Sequence, residues 1–110
     1  MQNLVFTAAW NGSQFHNKIH CKYFTTLRLP NEKKYVLNER YAVYLSEKCI
    51  KSAKLIKITP CTLTQLTDTF FHLDTGYNKE TSINIFKRIY RLKDNDEAST
   101  IFWLMLYETV

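Results

Sequence analysis

Strand-like stretches outnumber helical ones in this chain of 110 residues, and the two kinds do not alternate regularly. The stretches rich in apolar, β-branched and aromatic residues are 4–10, 25–29, 41–45, 52–59 and 101–107. The last of them is hydrophobic throughout, which is typical of a strand inside a sheet. A doubly wound α/β fold would require strands and helices to alternate. We therefore predict an α+β fold, a small mixed β-barrel with helices covering its openings.

Helix signals occur at several points between these strands. Ser13 can cap a short helix over residues 14–21, with Ile19 on its buried face. Thr62 and Gln65 have the spacing of a capping box, which predicts the start of a second helix. That helix carries the apolar residues Leu63, Leu66, Phe70 and Phe71.

The second helix is expected to end in a turn over residues 72–77, where Gly76 supplies a positive φ angle. Asn78 then caps a third helix over residues 79–91. Helical periodicity places its apolar residues on one face, which should pack against the core. Those residues are Ile83, Phe86, Ile89 and Tyr90.

Composition and charge restrict the classes of function. The formal charge of +5 and the pI of about 9.2 favour an anionic partner. The three cysteines form no CxxC pair, and an odd count fits a reduced, intracellular protein better than a disulfide framework. Neither a signal-peptide pattern nor an apolar run of spanning length occurs. We therefore expect a single cytoplasmic domain over residues 1–110 that does not contact a membrane.

The segment Lys22–Leu29 contains the most informative polar residues. Because successive side chains on a strand point to opposite faces, Thr26 and Arg28 share one face, and Thr25 and Leu27 share the other. A threonine hydroxyl beside the rigid donor fork of an arginine suits a planar polar or anionic ligand.

A cleft is expected between the Thr26 and Arg28 face and the start of the third helix. A helix start carries unpaired amides and the positive end of the helix dipole, so it can hold a polar or anionic ligand opposite Arg28. We therefore predict that this face looks toward residues 74–80.

A metal site is the other chemistry that the residues suggest. His16 and His20 are four positions apart and would share a helix face next to Cys21. No second pair of ligands accompanies them, so we expect neither a metal nor a cofactor.

Three segments in succession resemble the ASCH family of PUA-like domains. They are the helix-to-strand segment 19–28, the segment 53–58 followed by 62–66, and Leu73-Asp74-Thr75-Gly76-Tyr77 followed by Glu80 and a helix ending in Arg88-Ile89-Tyr90. Together they span about residues 13–107. The Asp-Thr-Gly-Tyr turn is most similar to small phage and bacterial members of the family.

The resemblance implies a PUA-like barrel with a cleft, and a role with RNA or modified nucleosides. Some small members of the family hydrolyse the amide of N4-acetylcytidine with a lysine, a threonine and a later glutamate. Thr26 and Arg28 match that threonine and the arginine after it. Tyr23 occupies the lysine position, Lys22 lies one residue earlier, and Glu80 is displaced by about one residue. The implied catalytic set is Lys22, Thr26 and Glu80.

Three functions remain open. The leading one is a binding module for RNA or a modified nucleotide, and its candidate ligand-binding residues are Tyr23, Thr26, Arg28, Asp74 and Tyr77. The second is a small amidohydrolase acting on N4-acetylcytidine-like nucleosides, in which a strand bulge would bring Lys22 within reach of Thr26 or Glu80. The third is a phage protein whose partner is a host protein.

Basic residues around the third helix favour the nucleic-acid hypothesis. They are Lys79, Lys87, Arg88, Arg91 and Lys93. Such residues can hold a phosphate backbone while nearby tyrosines stack on bases. A solvated helix face is the alternative interpretation.

Overall fold

Strands and helices alternate irregularly in the part of the chain that a computed structural model describes, residues 1–7 and 18–110. The strands are β1 (Gln2–Phe6), β2 (Tyr23–Arg28), β3 (Arg40–Leu45), β4 (Lys48–Cys61) and β5 (Phe102–Thr109). The α-helices are α1 (Asp68–Thr75) and α2 (Lys79–Ile89). The predicted α+β class is confirmed.

The strands form one mixed sheet in the order β1-β3-β4-β5-β2. β1 runs parallel to β3, whereas the other three pairings are antiparallel. β5 lies inside the sheet, as its hydrophobic sequence predicts. β1 and β2 are the two edges, and within the described residues no backbone pairing joins them to close the sheet.

Two bulges in β4 bend the sheet. Ile50 is the extra residue in the pairing with β3, and Ile56 is the extra residue in the pairing with β5. A bulge bends its strand and increases the local twist. The two edges of the sheet accordingly approach each other: the rings of Phe6 on β1 and Phe24 on β2 have centroids 6.1 Å apart.

Buried side chains form two clusters on opposite faces of the sheet. On β5, Met105 and Tyr107 belong to the first cluster, and Phe102 belongs to the second. The first cluster fills the face on which Phe6 and Phe24 meet. The second cluster packs the other face against α1 and α2. β2 therefore presents Phe24 to the first cluster and Leu27 to the second.

The predicted second helix is divided into two elements, so the prediction of one continuous helix is wrong. The capping box of Thr62 and Gln65 is present, but it caps only a short 3-10 turn, Leu63–Gln65. Backbone at Leu66 is extended. Thr67 then acts as a new cap, because its hydroxyl oxygen accepts a hydrogen bond from the Phe70 N–H at 3.0 Å.

Gly76 and Asn78 have the roles that the sequence predicts for them, a turn residue with positive φ and the cap of α2. Gly76 has a φ angle of 81° and ends α1, although the helix continues to Thr75 and so overlaps the predicted turn. The Asn78 side chain accepts a hydrogen bond from the Thr81 N–H at 2.9 Å. Both residues fulfil a local backbone requirement, which explains why the sequence predicts them.

The buried face of α2 is rotated from the predicted one. Ser82, Ile85 and Phe86 are buried, whereas Ile89 is 41% exposed. The Ser82 and Thr75 hydroxyls lie 2.7 Å apart, and this buried hydrogen bond fixes the rotation of α2 against α1. The apolar periodicity alone does not include that polar contact.

Other predictions fall partly outside the described residues. The predicted first strand, residues 4–10, begins earlier, at Gln2, and its last three residues lie outside the described ranges. The predicted helix 14–21 is described only from residue 18, where residues 18–20 form a 3-10 turn and Ile19 is buried. In the described ranges, no helix is both long and apolar enough to cross a membrane.

Candidate functional site

An open pocket of about 190 Å³ lies where the ends of β1 and β2 approach each other, beside the C-terminal end of α2. We call it the seam pocket. Val5–Thr7 at the end of β1 form one wall, and Thr26–Arg28 at the end of β2 form another. Phe86 and Ile89 of α2 and Tyr90 directly after it form the third. Lys18 completes the lining.

Arg28 connects the two edge strands at this pocket. Its Nη2 donates to the Val5 carbonyl at 2.8 Å, and its Nε donates to the Thr26 hydroxyl oxygen at 3.2 Å. The guanidinium carbon lies 5.0 Å from the centroid of the Phe6 ring, within cation–π range. The prediction that Thr26 and Arg28 share a face of the strand is confirmed.

A buried polar cluster lies behind the pocket. The Lys18 Nζ donates to Asp74 Oδ1 at 2.8 Å, and the Thr25 hydroxyl donates to the same oxygen at 2.6 Å. The Asp74 side chain is fully buried, and its Oδ2 has no hydrogen-bond partner among the described residues. Thr25 therefore faces α1, opposite to Thr26, as strand alternation predicts.

Burial lowers the pKa of the Lys18 ammonium. The Asp74 carboxylate opposes this effect, and the nearby Arg28 charge adds to it. Removing a charged amine from water favours its neutral form, so the direction follows from where Lys18 lies. The pKa of Lys18 is therefore lower than that of an exposed lysine, although the bond to Asp74 stabilises the ammonium form.

Tyr90 forms the opposite wall. Its hydroxyl donates to the Leu27 carbonyl at 3.3 Å, and its ring stacks parallel to Phe86 with centroids 6.4 Å apart. Burial raises the pKa of the phenol, and the charge of Arg28, which lines the same pocket, partly opposes this effect. Tyr90 therefore presents a fixed, neutral ring to the pocket.

The structure does not bring the predicted catalytic set together. Lys22 lines a different pocket at the other end of β2, and its Nζ lies 5.6 Å from the Tyr23 ring. Glu80 is exposed on the first turn of α2. The β2–β5 register is continuous from Tyr23 to Arg28, so no bulge occurs between these residues. Lys22 lies four positions before Thr26, and it lines a different pocket from Thr26. The prediction of a bulge that brings Lys22 to Thr26 or Glu80 is therefore wrong.

The expected position of the cleft is also wrong. Arg28 lines a pocket with the end of α2, not with its start. At the start, the Asp68 carboxylate accepts from the Lys79 N–H at 2.7 Å, and Asn78 accepts from Thr81. The Lys79 and Thr81 amides, which we expected to be open to a ligand, are therefore already bound by side chains.

The remaining predicted ligand-binding residues lie outside the seam pocket. The Tyr23 hydroxyl donates to Glu108 Oε2 at 2.7 Å on the helix-side face of the sheet. Tyr77 packs against the second cluster, and its N–H donates to the Thr75 hydroxyl at 3.1 Å. Asp74 does not line the pocket, but it accepts a hydrogen bond from Lys18, which does. Of the predicted set, the structure places Thr26 and Arg28 in the pocket wall.

Sequence reasoning missed Lys18 as a site residue. Its contact with Asp74 spans 56 positions, and no periodicity or motif near Lys18 signals it. Among the described residues, no group of three or more His, Cys, Asp or Glu side chains could hold a metal ion.

No family model, curated protein or solved structure matches this chain. Its function must therefore be argued from the seam pocket and the residues around it.

Proposed function

We propose that this chain is an ASCH-type, PUA-like domain that binds RNA or a modified nucleotide in the seam pocket. The observation that carries the proposal is the meeting of Thr26 and Arg28, the residues on which the resemblance rests, with Tyr90 and Lys18 in one open pocket. Polar donors at one wall and an aromatic ring at another suit a nucleobase with its attached polar groups.

The barrel is part of the same proposal. The two edge strands are linked by the Arg28 bond to the Val5 carbonyl and by the edge-to-face contact of Phe6 with Phe24. Side chains thus span the gap that backbone hydrogen bonds would close in a complete barrel. This arrangement supports a PUA-like barrel with its ligand site at the gap.

The size of the pocket restricts what enters it. Its volume of about 190 Å³ is below the range of roughly 300–1,000 Å³ that is common for drug-sized ligands. The pocket thus suits one base or one phosphate rather than a folded segment of RNA. The rest of an RNA strand would lie outside, along the basic residues that follow α2, Arg91 and Lys93.

Thermal shift with a panel of nucleosides, their modified forms, their monophosphates and short RNAs tests this proposal. A ligand that binds only the folded chain raises the Tm with its occupancy. Arg28→Gln and Thr26→Val should reduce the shift, whereas Arg40→Gln, a substitution of an exposed arginine on β3, should retain it. If no member of the panel raises the Tm, the proposal fails.

A second candidate is the amidohydrolase, and the cluster of Lys18, Asp74 and Thr25 favours it. A lysine of lowered pKa can take a proton from an attacking water, and the buried carboxylate can hold the resulting ammonium in place. Lys18 is the member of the cluster that lines the pocket, so it is the one placed to meet a substrate.

Incubation with N4-acetylcytidine separates the two candidates. Hydrolysis releases cytidine and acetate, and Lys18→Met should abolish it, whereas Lys57→Met, an exposed lysine on β4, should not. Lys22→Ala and Glu80→Gln distinguish the set predicted from sequence from the set found in the structure. Binding without release would identify a binding module.

A further inference from the structure

The seam pocket offers a guanidinium whose charge is not balanced by a carboxylate. Two of the five N–H groups of Arg28 are used, on Thr26 and on the Val5 carbonyl. Within residues 1–7 and 18–110, Arg28 forms no ion pair, and residues 8–17 contain neither Asp nor Glu. Its remaining donors are available to an acceptor that enters the pocket.

Thr26 adds a second donor. Its side chain is only 4% exposed, and its oxygen accepts the hydrogen bond from Arg28 Nε. The hydroxyl proton has no acceptor in the described part of the chain. A threonine hydroxyl that accepts one hydrogen bond still carries a proton, so Thr26 can donate to an acceptor on a ligand.

The backbone of Leu27 supplies a third donor. The Leu27 carbonyl accepts from Tyr90, on the open edge of β2, whereas the Lys22 carbonyl accepts from Thr109 of β5. The N–H and C=O of one strand residue point to the same side, and neighbouring residues alternate. The Leu27 N–H therefore faces the open edge, where this residue lines the pocket.

The charges around the pocket favour an anion. The Lys18 Nζ and the Arg28 guanidinium lie 5.7 and 5.0 Å from the centroid of the Phe6 ring. Asp74 is the nearby carboxylate, and it is already bound by Lys18 and Thr25. Tyr90 is neutral, and its hydroxyl donates to the Leu27 carbonyl. Two cations with one carboxylate leave a net positive charge in a partly desolvated site, where Coulomb attraction is stronger than in water.

We propose that the seam pocket recognises the phosphate group of its ligand, with Arg28, the Thr26 hydroxyl and the Leu27 N–H as donors. This inference rests on the proposed function and adds the chemical class of the ligand: a nucleotide or an RNA phosphate, rather than an uncharged nucleoside. Arg pairs with phosphate through parallel hydrogen bonds, which a single ammonium cannot reproduce.

Calorimetric titration at fixed ionic strength tests the inference on the full chain. The probes are cytidine and N4-acetylcytidine, their 5′-monophosphates, the dinucleotide CpC, and inorganic phosphate. We expect each monophosphate to bind about tenfold more tightly than its nucleoside, which is the gain of one charge-assisted contact of about 1.4 kcal/mol. Comparing CpC with the monophosphates shows whether the source of the phosphate is RNA or a free nucleotide.

The variants assign the phosphate to Arg28. Arg28→Gln should reduce monophosphate affinity to that of the nucleoside, whereas Arg40→Gln removes the same charge outside the pocket and should leave it unchanged. Arg28→Lys keeps the charge but loses the fork, so it should give an intermediate loss. Circular dichroism verifies that each variant is folded, and Arg28→Lys serves as the test if Arg28→Gln does not fold.

Each outcome separates the inference from the proposed function. Equal affinity of a nucleoside and its monophosphate would overturn the inference and leave the proposed function standing. Inorganic phosphate binding as tightly as the nucleotides would support the oxyanion site and contradict the nucleotide proposal. Monophosphate affinity that is unchanged in both Arg28 variants would overturn the assignment to this pocket.

Discussion

Arg28 combines a structural contact with a functional position. Its bond to the Val5 carbonyl joins the edge strands, and the residue lines the seam pocket. Strand alternation predicts that it shares a face with Thr26 because that rule is local. The contact of Lys18 with Asp74 follows from how distant segments pack, so the sequence did not predict it.

The buried pair of Lys18 and Asp74 allows a prediction at the residue scale. Asp74→Asn removes the charge that compensates Lys18, and breaking a buried pair in this way costs about 3–5 kcal/mol of unfolding free energy. The double variant Lys18→Met with Asp74→Leu should recover much of that loss, because it leaves no buried charge. Urea denaturation of the single and double variants measures both effects. A double variant as unstable as Asp74→Asn would contradict the prediction.

The buried phenol of Tyr107 allows a second prediction, which concerns the stability of the fold at alkaline pH. Its side chain is fully buried, and burial raises the pKa of its phenol. In the unfolded chain the phenol loses its proton near pH 10, while in the folded chain it stays protonated to higher pH. The stability contributed by the neutral phenol is therefore present below about pH 10 and is lost as the pH rises above it.

Tyr107→Phe should lose stability less steeply above about pH 10 than the unmodified chain. Burial also raises the pKa of Tyr41 and Tyr90, so part of the alkaline slope should remain in the variant. The free energy of unfolding in urea, measured from pH 8 to 11, gives both slopes. Parallel curves for the two proteins would contradict the account of Tyr107.

At the scale of single elements, α2 depends on its cap. The Asn78 side chain accepts the Thr81 N–H, so Asn78→Ala should lower the free energy of unfolding by about 1 kcal/mol. Asn78→Asp preserves an accepting oxygen and is the matched control, with stability close to that of the unmodified chain. Thermal denaturation compares them. Equal destabilisation by Ala and Asp would show that the cap does not stabilise α2.

Local signals predict the caps better than they predict element lengths. Thr62 and Thr67 both have the chemistry of a cap, and nothing in the local pattern shows that the first begins only a 3-10 turn. The bulges at Ile50 and Ile56 are equally hidden, because a bulge is defined by the partner strand. The orientation of α2 depends on the hydrogen bond between Thr75 and Ser82, which apolar periodicity omits.

At the scale of the whole molecule, the sequence predicts the class but not the strand order. The irregular succession of strands and helices favours α+β. Pairing β1 with β3 and β2 with β5 brings together segments distant in the sequence. The same long-range pairing makes β1 and β2 the edges, and so creates the seam pocket.

The net charge of the whole molecule allows a prediction about how RNA affinity depends on salt concentration. With a formal charge of +5, binding of RNA through its backbone should weaken steeply with salt, because bound phosphates release counterions. The logarithm of the affinity for a short RNA should fall linearly with the logarithm of salt concentration, and more steeply than for a monophosphate. Fluorescence anisotropy between 50 and 200 mM salt, roughly the range in which such effects are large, measures it. A flat dependence would favour a protein partner or a small ligand.

The most direct test of the central claim is a titration of 15N-labelled protein with N4-acetylcytidine 5′-monophosphate, followed by NMR. We expect the largest amide shifts at the seam pocket, at Leu27, Arg28, Ile89 and Tyr90. The amides of Cys21 and of Lys51 on β4, two residues that line the pocket near the start of β2, serve as the internal reference. Their chemical shifts should change little. Shifts centred on Cys21 and Lys51, or no shifts at saturating ligand, would contradict the assignment of the seam pocket as the binding site.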